Sequence, residues 1–162
     1  MARILAMGAA LALLACNPPG ATPVIHQAAS LSRSDAEQLM LRADDARRLA
    51  FEFPGTTTLS DAFGSSALQR LQAQSQSLAL RGMREEERSS SRELVFWDPV
   101  AYEAVLQVVA ERRLVTPEQP NAPWSATVRQ WWARLENVDG SWKVVDQEDL
   151  PPDRWRPASP GV

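Results

Sequence analysis

The chain has 162 residues, 44% of them hydrophobic and 23% charged, which is one-domain length with enough apolar material for a real core. Its formal net charge is −3, which disfavours nucleic acid as a partner, because phosphate binding needs a clustered basic surface. With a single cysteine, no disulfide framework is available.

The first segment reads as an address. Residues 1–15 combine a basic start at Arg3, an apolar run from Ile4 to Leu14 and the small Ala15 just before Cys16. The run is too short for a transmembrane helix, which needs about 20 apolar residues. Asn17-Pro18-Pro19-Gly20 would also break any helix there. Leu13-Leu14-Ala15-Cys16 resembles the lipobox of bacterial lipoproteins. That resemblance implies a lipoprotein signal peptide over 1–15 and lipidation of the Cys16 thiol. It also implies a membrane anchor in the cell envelope, on the extracytoplasmic face of a bacterial membrane. Two or more acyl chains are enough for stable anchoring. The alternative is an ordinary secretory peptide with an incidental cysteine. Asn17, where an Asp would signal retention, resembles cargo released to the outer membrane.

Residues 16–33 mix Pro, Gly, Ala, Ser and Thr and are expected to form a flexible tether holding the only histidine, His26. The folded domain is expected over 34–149. Ser34-Asp35-Ala36-Glu37 has the spacing of a capping box. Leu39, Met40, Ala43, Ala46, Leu49, Ala50 and Phe53 then recur at helical intervals, and Pro54-Gly55 ends the helix. A second helical region has Ser60, Ser65 or Ser66 as candidate caps and an inward side of Phe63, Leu68, Leu71 and Leu78. Its Gln and Ser residues are expected in water, and Gly82 as a left-handed cap. Arg81 to Arg92, interrupted by Glu85, Glu86 and Glu87, reads as a solvated, self-neutralising face.

The period then changes. Arg92 to Asp98 alternates weakly. Tyr102, Ala104, Leu106, Val108 and Ala110 share one side of a strand, yet Asp98-Pro99 could also start a helix over 99–115. High β-branched content favours the strand. Pro117 to Pro123 is a loop. Thr127 to Val138 and Ser141 to Val145 flank Asp139-Gly140, a strong hairpin signal. Trp131, Ala133 and Leu135 lie on one face of the first arm, with Trp142 and Val144 able to pair from the second. Residues 150–162 are rich in proline and read as an extended tail.

These elements imply an α+β fold with N-terminal helices packed on a curved antiparallel sheet. On Tyr102-Glu103-Ala104-Val105 to Leu114, Ser125 to Leu135 and Asp139-Gly140-Ser141-Trp142-Lys143-Val144, the chain resembles the nuclear transport factor 2-like superfamily. That group is cone-shaped and cystatin-like, and includes ketosteroid isomerases and SnoaL-like cyclases. Within it the pattern is similar to the IMS-type (Tim44-like) domain of plant and cyanobacterial division proteins. Such a resemblance carries fold better than function.

Enzymes of that superfamily use Asp, His and Tyr in the cone. Here the only tyrosine, Tyr102, is a candidate donor, or else packs with its hydroxyl at the rim. Asp44 and Asp45 are expected to make surface ion pairs with Arg47 and Arg48. Asp146, Glu148 and Asp149 lack the spacing of a calcium loop. No catalytic residue, cofactor or metal is expected. Trp132, sharing its face with Gln130, Arg134 and Glu136, is either covered by the segment around Trp155 or serves with Arg134 as an anchor for a partner. The expected function is non-enzymatic: binding of a protein or envelope component. A pocket protein or isomerase-like enzyme using Tyr102 is the second reading, and a homodimer through the open sheet face the third.

Overall fold

The computed structural model describes residues 30–55 and 58–156. The signal peptide, Cys16 and His26 lie outside these residues. Helix α1 spans Arg33–Glu52 and helix α2 spans Ser65–Leu80, followed by strands β1 (Arg84–Asp98), β2 (Glu103–Val115), β3 (Ser125–Val138) and β4 (Ser141–Leu150). Each strand pairs antiparallel with its sequence neighbour, giving an open sheet in the order β1-β2-β3-β4. This is the expected α+β architecture. No described helix is long and apolar enough to cross a membrane.

Helix α1 begins earlier than expected, because the capping box is built on Ser32 and not Ser34. The Ser32 hydroxyl accepts from the Asp35 N–H (3.1 Å) and donates to the Asp35 carboxylate (2.6 Å), satisfying a backbone donor that the helix cannot. The inward stripe is also rotated from the expected one. Ala36, Leu39, Met40, Ala43, Ala50 and Phe51 are buried, whereas Leu49 and Phe53 are 36% and 53% exposed. Two charged residues, Asp44 and Arg47, take stripe positions instead.

In α2 neither serine caps. Gly64 occupies the cap position without a side-chain bond, and the Ser66 hydroxyl donates to the Val145 carbonyl (3.0 Å), tying the helix to β4. Ser60 lies in the preceding turn, where its carbonyl accepts from Lys143 Nζ (2.8 Å). Ser75, expected in water, is buried. It donates to the Ala50 carbonyl (2.8 Å) and accepts from the Gly55 N–H (3.2 Å), so it fastens the end of α1 to α2. The C-terminus closes as expected at Gly82 (φ +63°), with Met83 N–H on the Leu78 carbonyl and Gly82 N–H on that of Ala79.

Residues 103–115 are strand, as β-branched alternation favoured over a helix. Leu94, Ala104, Leu106, Val108, Ala110, Trp131, Ala133, Leu135 and Val144 form the inner face and pack with both helices into one core. Asp139 (φ 52°) and Gly140 (φ 83°) make the left-handed turn that a two-residue hairpin needs. Val144 lies opposite Leu135, but Trp142 lies opposite Asn137 and not opposite the apolar trio.

Strand β1 starts at Arg84, well before the expected alternation. Glu85, Glu86 and Glu87 sit opposite Leu114, Arg113 and Arg112 of β2, and the Glu87 side chain is only 6% exposed. The segment is therefore a paired strand, and its charges are neutralised by neighbouring strands more than by itself. The tail is likewise not extended over its described part. Pro152–Arg154 forms one 3-10 turn, and the chain folds back along the outer face of the sheet. Trp155 Nε1 donates to the Leu150 carbonyl (2.9 Å). The Gln130 amide accepts from the Arg156 N–H (2.7 Å) and donates to the Arg156 carbonyl (2.8 Å), acting as a substitute strand.

Candidate functional site

Because strand side chains alternate, the register places Glu103, Val105 and Gln107 of β2 opposite Arg134, Trp132 and Gln130 of β3 on the outer face. Both helices pack on the inner face, so among the described residues the outer face is covered by the returning tail near Gln130 and by Trp124 over Arg88 and Arg113 at its other end. Trp132 is half-buried in a cleft of about 250 Å³, floored by Phe96, Val105 and Leu150 and walled by Glu103, Glu148, Arg154 and Arg156. The Arg154–Glu148 ion pair (2.6 Å) and Arg156, 5.1 Å over the Phe96 ring, fix the tail at the cleft edge. Tail residues Arg154 and Arg156 thus line the same cleft as Trp132, and the ring stays partly exposed.

Arg134 stands beside this cleft, paired with Glu136 at 3.3 Å and half exposed. Tyr102 does not join them. It precedes β2 in a left-handed conformation (φ 52°), and its ring packs toward the core between Trp97 (6.2 Å) and Trp142 (4.9 Å). Its carbonyl accepts from the Leu135 N–H (2.9 Å), which explains a non-glycine residue held at positive φ. The packing role of Tyr102 is what the geometry supports. A further aromatic, Trp124, stacks with the guanidiniums of Arg88 (4.1 Å) and Arg113 (4.6 Å).

The inner face carries a charged layer that the surface-pair expectation for Asp44 misplaced. Asp44, 1% exposed, accepts from Arg129 (2.6 Å), whose side chain is 11% exposed and also lies 3.5 Å from Glu87. Arg92 bonds Asp45 (2.7 Å), and Arg112 pairs with Glu85 and Glu87. Arg47 makes a two-pronged bond to Asp149 across to β4, at 2.9 and 2.7 Å. Burial works against the Arg47 charge, but Asp149 and the nearby Asp44 and Glu85 outweigh it and raise its pKa above the ordinary value. Partial burial likewise opposes the Asp149 charge, and Arg47, with Arg129 and Arg112 behind it, overrides that and lowers its pKa. The signal for this layer was present: Asp44 and Arg47 stand four residues after Met40 and Ala43 on the apolar stripe.

Two clefts flank the Arg47–Asp149 pair. One, of about 390 Å³, is lined by Arg47, Phe51, Gln74, Ser77, Leu78, Arg81, Glu85, Arg112 and Asp149. The other, of about 140 Å³, lies toward Arg70 and Gln147. No group of three or more His, Cys, Asp or Glu is placed to hold a metal among the described residues.

No family model and no curated protein sequence matches the chain. Among solved structures it is similar to the intermembrane space region of the chloroplast protein ARC6, with a TM-score of 0.61 and 14% identity. The match covers 74% of this chain and 96% of that one. At that identity the likeness shows a shared fold: two helices on an open four-stranded antiparallel sheet.

Proposed function

We propose that this chain is a lipid-anchored extracytoplasmic domain, of the nuclear transport factor 2-like type, that binds a protein or envelope component through the outer face of its sheet. The observation that carries the reading is the half-buried Trp132 in a cleft on the face that neither helix covers. A large ring beside Arg134 and ordered by flanking ion pairs has the composition of a binding hot spot. The lipobox at Cys16 supports the anchor, and the similar ARC6 region, described as lying in an intermembrane space, is compatible with an extracytoplasmic domain. Both sheet edges support use of the face over strand addition. β4 is capped by the Phe63 bridge and by Ser66 and Arg70 on its carbonyls, and β1 carries closely spaced charges.

A photo-crosslinking residue placed at Arg134 tests this in producing cells, with Gln38 on α1 as the control position. A discrete higher-mass adduct from position 134 and none from 38 is the expected result. Equal adducts from both, or none from 134, would remove the outer face as the binding surface. Separately, Cys16→Ser should move the protein from membranes to the soluble fraction. Retention on membranes would count against acylation.

A further inference from the structure

The larger inner cleft opens on the opposite face of the sheet from Trp132: its Asp149 points inward, whereas the adjacent Glu148, opposite Trp132 in the register, points outward. Tyr102 and Arg112 lie toward opposite ends of β2, about 30 Å apart at strand rise, so a ligand here does not reach Tyr102. Its volume falls within the range of small-molecule sites. Of its three guanidiniums, Arg47 is paired with Asp149 and Arg112 with Glu85 and Glu87, which leaves Arg81 without a carboxylate among the described residues.

The donors differ in how far they are already used. Arg47 is held by both prongs of Asp149, so it shapes the wall. Arg112 spends one terminal nitrogen on Glu85, and its buried Nε lies 3.1 Å from Glu87 without hydrogen-bond alignment. Arg81 donates from Nε to the Ser77 carbonyl (3.2 Å) and has no carboxylate partner among the described residues. The end of α2 does not compete for it strongly, since the Leu78 and Ala79 carbonyls are occupied by Met83 and Gly82. Phe51 and Leu78 add an apolar wall to the polar donors Gln74 and Ser77.

From this arrangement we infer a binding site for a small organic carboxylate, its head between Arg81 and Arg112 and its apolar body against Phe51 and Leu78. A carboxylate brings one negative charge, matching the single unpartnered guanidinium of Arg81, whereas a phosphate monoester brings nearly two. Planar guanidiniums bind carboxylates by paired hydrogen bonds, which gives the head a defined orientation.

Equilibrium dialysis of the purified full chain against radiolabelled benzoate, acetate and benzylamine tests the site. Arg42→Gln, an exposed change on α1, is the reference for partition into attached lipid. Saturable binding of one benzoate per chain is expected, at least tenfold tighter than acetate, with no saturable benzylamine. Arg81→Gln, also at an exposed position, should weaken benzoate at least tenfold, and Ser77→Ala should leave the protein folded with a smaller loss. Absence of saturable benzoate binding, acetate matching benzoate, benzylamine binding in its place, or an Arg81→Gln chain that binds like its parent would each overturn the inference. Any of these failures would leave the crosslink from position 134 unaffected.

Discussion

On the inner face Asp44 and Arg129 meet with side chains 1% and 11% exposed, whereas on the outer face Arg134 and Glu136 meet at 50% and 52%. The two pairs are chemically alike and physically different. Water screens the outer pair and can replace either partner. The inner pair sits between a helix and a sheet, where removing one partner strands the other. The inner face therefore uses charge to lock α1 onto the sheet, and the outer face keeps its charge available at a surface.

The largest test of that contrast is Asp44→Ala. It leaves buried Arg129 with only a 3.5 Å approach to Glu87, and a loss of about 3 kcal/mol in urea unfolding is expected. Asp44→Ala with Arg129→Met should recover part of that loss, because no buried charge remains unpaired. If the double variant is no more stable than the single one, the stranded-charge explanation is wrong.

A smaller effect is expected from acid. The pKa of Asp149 in the folded state is depressed below its unfolded value of about 3.9. Its contribution is therefore complete above that value and fades as pH falls through the lower folded one. Urea midpoints of the parent chain should drop from about pH 5 downward, and Asp149→Asn should flatten part of that fall. Identical slopes for the two chains would show that the Arg47 bond adds nothing across this window.

Much of the fold was legible because the signals were local. The Asp139-Gly140 turn, the alternation of Ala104, Leu106, Val108 and Ala110, and the left-handed cap at Gly82 each depend on a few neighbouring residues. What escaped were the long-range pairings. Glu87 looks solvated until β2 and β3 bring Arg112 and Arg129 beside it, and Asp44 looks like a surface acid until α1 docks on β1. Ser75 was misread for the same reason, since the carbonyl it bonds lies 25 residues away. At the candidate site Trp132 and Arg134 were readable from strand parity. Phe96, Leu150 and Arg156 were not, because a bulge at Val95 and the fold-back at Pro152 place them there.

The smallest stability effect belongs to the exposed pair. Arg134→Ala should change unfolding free energy by less than about 0.5 kcal/mol in urea titration, and a loss above about 2 kcal/mol would mean that the outer face packs against something in the folded monomer.

The most direct test of the outer face as a recognition surface is Trp132→Ala, read in two ways on one preparation. Urea unfolding reports its packing, and the crosslink from position 134 reports its binding. The expected result is a stability loss of only about 1 kcal/mol with the crosslinked adduct abolished. An adduct of undiminished yield, or a loss of 3 kcal/mol or more as for a core tryptophan, would contradict it.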